Sequence, residues 1–147
     1  MSEKHYDPPM HTAEHILNQT MVRMFGCGRS FNSHIERKKS KCDYRIDHAL
    51  TELEVKEIED KVNQIIDSKV NVTEGLVAKA EAASFLDLRK LPIDAPDTIR
   101  VIRVGDYDAC ACIGPHVSNT SEIGKFSIIS SDYTDGIVRL RFKLVER

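Results

Sequence analysis

The chain has no hydrophobic run approaching the ~20 apolar residues that a membrane-spanning helix needs, so no membrane partner is expected. Its first ten residues, MSEKHYDPPM, are polar and lack the apolar segment of a secretory signal. A cytoplasmic protein is the expectation. Cysteine is scarce, with Cys27, Cys42, Cys110 and Cys112 the only four in 147 residues. In a reducing compartment such residues read as thiols or metal ligands rather than disulfides. No internal repeat and no low-complexity block is present. An excess of positive charge is missing too: 21 Lys and Arg stand against 23 Asp and Glu, a net charge of -2. That argues against a surface coated in positive charge, although a local basic patch is still open.

What is present suits one globular domain over residues 1–147. With 41% hydrophobic and 30% charged residues, the chain is long enough to bury a sizeable core. Asp7-Pro8-Pro9 reads as a helix start, with Ile16, Leu17, Met21 and Met24 at helical spacing and Gly26 as the stop. Residues 30–36 and 41–47 form a predicted strand pair around a turn at Arg37-Lys38-Lys39-Ser40. Thr51-x-x-Glu54 is a capping-box pattern. Val55, Ile58, Val62, Ile65 and Ile66 behind it predict a helix over 52–68. A strand over 70–78, a short helix over 80–88, a loop at Pro92 and Pro96, and a strand starting at Ile99 follow. Asp135-Gly136 is a hairpin signal before a strand that alternates Val138, Leu140, Phe142 and Leu144 with Ile137, Arg139, Arg141 and Lys143. The expected class is α+β, with helices packed on a largely antiparallel sheet.

Two motifs carry chemistry. In HTAEH, His11 and His15 stand four apart and share a helix face. Alone, such a pair is weak evidence for metal. About a hundred residues on, DACACIGPHVSNTSEIGKF holds Cys112-x-x-x-His116. Gly114-Pro115 bends the chain there and would let His116 swing back towards Cys112. Cys110 would point the same way as Cys112 in a strand and competes for the ligand role. Asn119-x-x-Glu122 reads as a capped turn ending at Gly124. Together the motifs offer three imidazoles and a thiolate, a donor set that suits Zn2+. Four protein ligands normally describe a closed, structural zinc site, so catalysis would need a fifth position or a loosely held ligand.

HTAEHIL followed by CIGPHVSNTSEIG resembles the editing domain shared by alanyl- and threonyl-tRNA synthetases, whose free-standing version is the AlaX family. The likeness runs from about His11 to the final strand. HTAxH and SEIG are similar to the alanyl branch, and GPHV to the threonyl branch. Class II synthetase motifs are absent, and the length matches the smallest AlaX type. The resemblance implies a two-layer sandwich and a single editing, or second additional, domain. It implies hydrolysis of a mischarged tRNA at the acceptor end, with seryl-tRNA(Ala) the chief substrate and glycyl-tRNA(Ala) a second. It also implies zinc held by His11, His15, Cys112 and His116.

Serine is the natural error of an alanine site, because a pocket cannot strongly reject an analogue that merely adds a hydroxyl. A second site that demands the hydroxyl can. The resemblance puts Ser30 where archaeal members carry a hydroxyl-recognising threonine, with Asn32, Ser33 and His34 as competitors. Strand alternation would set Ser30, Asn32 and His34 on one face and Ser33 on the other. Arg29, Arg37, Lys38, Lys39 and Lys41 cluster around the first hairpin as candidate tRNA contacts. Three other readings remain. One is editing of seryl-tRNA(Thr). Another is a zinc-stabilised domain that binds tRNA without cleaving it. The third is a small zinc peptidase, since His11-x-x-Glu14-His15 has the HxxEH spacing in which the glutamate is a general base. In the editing family the Glu14 position varies, which makes Glu14 a weak catalytic candidate and an expected helix-surface residue.

Overall fold

Asp7 and two prolines start the first helix. In the computed structural model, which describes residues 7–82 and 97–146, α1 spans Pro8–Phe25. Asp7 Oδ2 accepts from the Met10 amide at 3.4 Å. The prolines fill the first turn, where backbone N–H groups have no helical partner anyway. Gly26 closes the helix in the left-handed region at φ 65°, its N–H on the Val22 carbonyl. Met10, Ala13, Ile16, Leu17 and Met21 are all fully enclosed, which makes α1 a central helix.

α2, Glu52–Asp67, begins at the predicted capping box. Thr51 Oγ1 accepts from the Glu54 amide at 3.1 Å, and the Glu54 carboxylate accepts from the Thr51 amide at 2.9 Å. Ile58, Val62 and Ile66 form its buried stripe, each contributing about 1.5–3 kcal/mol by leaving water.

The strands among the described residues are β1 Asn32–His34, β2 Ser40–Arg45, β3 Val72–Ala78, β4 Thr98–Val104, β5 Asp108–Ala111, β6 Lys125–Thr134 and β7 Ile137–Val145. A one-turn helix, α3 Lys79–Ala82, follows β3, and a 3-10 turn spans Thr120–Glu122. All pairings are antiparallel, so the α+β class holds, but the strands divide into two sheets. One has the order β1-β2-β7-β6 and the other β3-β4-β5. A single buried cluster joins Ile16 and Leu17 of α1, Ile58 and Val62 of α2, and Val138, Leu140 and Phe142 of β7. The two long helices therefore cover the four-stranded sheet. Ala82, Ile99 and Val101 form a smaller apolar cluster on the three-stranded sheet. Val72 N–H on Ser118 O at 2.9 Å, and a bridge between Asn71 and Asn119, tie the start of β3 to the segment after the Cys112/His116 loop.

Some elements differ from expectation. The strand predicted over 30–36 shortens to 32–34: at one end the Ser30 amide donates to Asn18 Oδ1 on α1, and at the other the Glu36 amide donates to Ser40 Oγ, instead of to a neighbouring strand. β6 was not foreseen. A register shift between Ile128 and Ser130 breaks its alternation. It is nevertheless the partner that the Asp135-Gly136 signal requires, and both turn residues have positive φ, 47° and 81°. Of the helix expected over 80–88 only the part up to Ala82 is described; its remainder and the Pro92/Pro96 loop lie outside the described residues. Among those residues no helix is long and apolar enough to cross a membrane.

Candidate metal centre

β5 ends at Ala111 and delivers Cys112 to the flank of α1. Arg100 of β4 holds the loop beyond it. Its Nη1 donates to the carbonyls of Cys112 and Gly114, both at 2.9 Å, while its Nε is paired with Glu74. The bend at Gly114-Pro115 then brings His116 back over the helix. One donor atom from each of His11, His15, Cys112 and His116 lies within 4.8 Å of the others. A tetrahedral zinc with bonds of ~2.0–2.3 Å would set its donors about 3.3–3.6 Å apart; His11 Nε2 and Cys112 Sγ already stand at 3.3 Å, and only wider pairs, none beyond 4.8 Å, would close by up to about 1 Å. The His11 and His116 rings stack at 4.1 Å, and His15 meets His116 edge-on at 4.5 Å.

The surroundings orient all three imidazoles alike. His11 Nδ1 meets the Pro115 carbonyl at 3.0 Å, and His116 Nδ1 meets Thr12 Oγ1 at 2.9 Å. His15 Nδ1 faces Asp108 Oδ2 at 3.5 Å, an electrostatic contact too long for a well-made hydrogen bond. Thr12 is fully buried. Its hydroxyl donates to the Pro8 carbonyl at 3.0 Å and accepts from the Val117 amide at 3.2 Å. The hydroxyl proton is therefore engaged, and His116 Nδ1 is the donor to it. With Nδ1 of His11 and His116 hydrogen-bonded to oxygen, and that of His15 turned to the Asp108 carboxylate, Nε2 is the nitrogen left to ligate. His11 Nε2 already lies 3.3 Å from Cys112 Sγ. His116 Nε2 is buried with no hydrogen-bond partner, an arrangement that is costly unless something else contacts it. The orphaned nitrogen and the donor set both fit a zinc ion.

Electrostatics prepares the same site. Burial works to raise the Cys112 thiol, but the imidazoles of His11, His116 and His15 bring it down to about 3, so it is a thiolate at neutral pH. Burial works to lower His15, yet Asp108 and Cys112 raise it to about 9. Burial pushes His116 below its ordinary value. Asp108, its side chain inaccessible to water, is opposed by burial but held well below the usual carboxylate range by His15 and Arg29. Arg29 Nη1 and Nη2 grip its two oxygens at 2.6 and 3.2 Å, and Gln19 Nε2 donates to Oδ1 at 2.9 Å.

The other expected site residues are distributed unevenly. Ser30 and Ser33 come together, with Ser33 Oγ donating to Ser30 Oγ at 2.8 Å and lying 3.6 Å from Cys42 Sγ. Asn32 and His34 do not join them. Asn32 donates to Asp43, which is also bound by Arg139, and His34 is exposed beside Glu36. The expected face assignment fails because Ser30 precedes the strand and is out of its alternation. Arg29 belongs to the buried Asp108 pair, not to the surface patch. Arg37, Lys38 and Lys39 are exposed, while Lys41 is half-buried. Glu14 is no surface residue: its side chain is 12% exposed and its Oε1 is 3.9 Å from His11 Nε2. Cys110 stays out of the cluster. It donates to the Ala111 carbonyl at 3.4 Å, and burial pushes its thiol up to about 11. Sequence reasoning missed Thr12, Asp108, Asn18 and Arg100. Thr12 and Asp108 stand inside the two quoted motifs; nothing local marks Asn18 or Arg100.

Comparison with known proteins agrees with this geometry. Residues 99–141 match the family model described as the threonyl and alanyl tRNA synthetase second additional domain. The alanine--tRNA ligase of Aeropyrum pernix is 34% identical over 142 residues, covering 93% of this chain and 16% of the ligase. That of Ligilactobacillus salivarius is 36% identical over 131 residues, covering 88% and 15%. That of Fervidobacterium nodosum is 32% identical over 130 residues, again 88% and 15%. The chain thus spans about a sixth of the length of the relatives it matches. It carries a second additional domain of the kind found in threonyl and alanyl tRNA synthetases, the family its motifs resemble.

Proposed function

We propose that this chain is an editing hydrolase that cleaves the ester of mischarged tRNA, seryl-tRNA(Ala) first and glycyl-tRNA(Ala) second. The observation that carries this reading is the helix α1. His11 and His15 face the cluster with Cys112 and His116, while one turn further on Asn18 Oδ1 accepts from the Ser30 amide at 3.2 Å. The cluster that would face an ester carbonyl and the anchor of the Ser30–Ser33 pair therefore share one stripe of one helix. The relatives are alanine--tRNA ligases, which favours the alanine acceptor over the threonine acceptor.

His11, His15, Cys112 and His116 would hold the metal, and bound zinc would supply Lewis acidity at the ester carbonyl. The chain's own residues fix the geometry. Thr12, the Pro115 carbonyl and Asp108 set the ring orientations, and Arg100 sets the loop. Ser33 Oγ donates to Ser30 Oγ, which donates to the Asn32 carbonyl, so Ser33 Oγ would accept from a substrate hydroxyl, a bond that an alanyl group cannot make. Exposed Arg37, Lys38 and Lys39 on the first hairpin would meet acceptor-stem phosphates.

The test is deacylation of seryl-tRNA(Ala), with alanyl-tRNA(Ala) and seryl-tRNA(Thr) beside it and zinc content measured. Serine-selective release, lost in a Cys112→Ala/His116→Ala variant, is expected. A folded, zinc-loaded protein that releases serine from neither tRNA would overturn the reading.

A further inference from the structure

Glu14 stands on the α1 stripe of His11 and Asn18, at spacings of three and four residues. On one side its Oε1 is 3.9 Å from His11 Nε2. On the other, Asn18 Oδ1 receives the Ser30 amide and the Tyr44 hydroxyl, at 3.2 and 2.7 Å. The carboxylate is mostly sheltered, and its charge acts on Cys42, Tyr44 and Cys110. Among the described residues no lysine or arginine lies within ion-pair distance of it. Sheltered carboxylates are ordinarily accompanied by a cation or by several donors. This one has a lone long contact to an imidazole in a wall made of thiols and hydroxyls.

No lysine or arginine among the described residues supplies a cation there; beyond the metal at the His11 end, the proposed substrate does. In a seryl ester, the Cα atom carries an ester carbonyl, a hydroxymethyl group and an ammonium group. With the carbonyl at the histidine–cysteine cluster and the hydroxyl at Ser30–Ser33, Cα lies over the stretch between them, within reach of a third arm turned towards α1. Glu14 occupies that stretch of α1. We propose that the Glu14 carboxylate binds the α-ammonium group of the aminoacyl moiety. This rests on the editing reading and adds a requirement to it: the substrate must have a free amine.

The test compares seryl-tRNA(Ala) with N-acetylseryl-tRNA(Ala), which keeps the hydroxyl and the ester but lacks the charge. The native chain should prefer the free amine by about 10- to 100-fold in kcat/KM, the range of one charge-assisted hydrogen bond. Glu14→Gln should raise KM for the free amine and bring the preference close to one, with zinc content unchanged. Glu14→Asp should keep part of it. Three results would overturn the inference: an unchanged preference in Glu14→Gln, an equal fall for both substrates, or loss of zinc from the variant. A second readout separates this from the editing reading. Calorimetric binding of the non-hydrolysable 3′-serylamino-3′-deoxyadenosine, against its N-acetyl form, should show the same Glu14-dependent preference. If the native chain hydrolyses nothing yet shows that preference in binding, the inference stands and the hydrolase falls. If binding shows no preference, the inference falls.

Discussion

Replacing Asp108 by Asn keeps the size of the side chain and one carbonyl acceptor but removes the charge between His15 and Arg29. Two consequences follow. Arg29, only a quarter exposed, loses the carboxylate that its two nitrogens grip at 2.6 and 3.2 Å. Breaking one partner of a largely buried pair costs about 3 kcal/mol at the low end of its range. For a chain of this size that lowers Tm by roughly 10 °C. The second consequence is a change in the proton count of metal binding. In the metal-free native protein His15 is protonated up to about pH 9, so it must release a proton to ligate. Cys112 is already a thiolate and His116 is pushed down, so neither adds a proton at neutral pH. Zinc affinity should then rise close to tenfold per pH unit between pH 7 and 9, a slope of one proton. His15's raised pKa also means that its contribution to metal-free stability is present below about pH 6.5 and fades as pH rises through 9. In Asp108→Asn that slope should flatten above pH 7, and affinity at pH 9 should fall about 10- to 100-fold through the lost orientation of His15. Competition titration with a zinc chelator at several pH values measures both. A native slope of zero, or a variant with the native slope, would refute the role given to Asp108.

Other expectations follow from the same contacts. Thr12→Val, nearly isosteric, removes the hydroxyl shared by His116, Pro8 and Val117; zinc affinity should drop about tenfold, and an unchanged affinity in the chelator titration would count against Thr12 as the orienting group. Lys38→Glu/Lys39→Glu should weaken tRNA binding and reduce the slope of log affinity against log salt by about 1–2, with Tm unmoved because both residues are exposed. Asp43 is held below its ordinary value chiefly by Arg139, with Asn32 assisting. Its stabilising effect is therefore present above about pH 4 and lost as pH falls further. Asp43→Asn should remove about 1 kcal/mol at pH 7 and flatten the acid limb of the stability profile, as thermal melts from pH 2 to 7 would report.

The elements most legible in the sequence are those whose ends are decided locally. Asp7-Pro8-Pro9, Thr51-x-x-Glu54 and Asp135-Gly136 each fix a backbone geometry within four residues, and the structure uses all three. Elements decided by tertiary contact were not legible. β1 is short because Asn18, twelve residues earlier, takes the Ser30 amide and the Ser40 hydroxyl takes that of Glu36. β6 hides because its bulge at Ile129 breaks the period of two that marks a strand. Nothing in the run of strands announces that pairing splits into two sheets, since which strand meets which depends on contacts across the whole chain.

The candidate site divides along the same line. Donor types and spacings sit in the sequence as two short motifs, and the structure draws their atoms within 4.8 Å. The groups that aim them do not share that signature. Thr12 and Asp108 are ordinary polar residues until the fold sets one against His116 Nδ1 and the other against His15 Nδ1. Glu14 shows how a spacing can mislead about placement. HxxEH placed it beside a metal pair, whereas family variability placed it on the surface. The outer side of a helix is solvent only when nothing packs there. α1 is enclosed by α2, β5 and the four-stranded sheet, so the turn from His11 to Asn18 faces interior along its length. A carboxylate on that turn is drawn into the wall of the site by the burial of its neighbours, Ala13 and Leu17 among them. The enclosure that sets the histidine–cysteine cluster and the Ser30–Ser33 pair along α1 also leaves Glu14 mostly sheltered, with His11 the one basic side chain near it among the described residues.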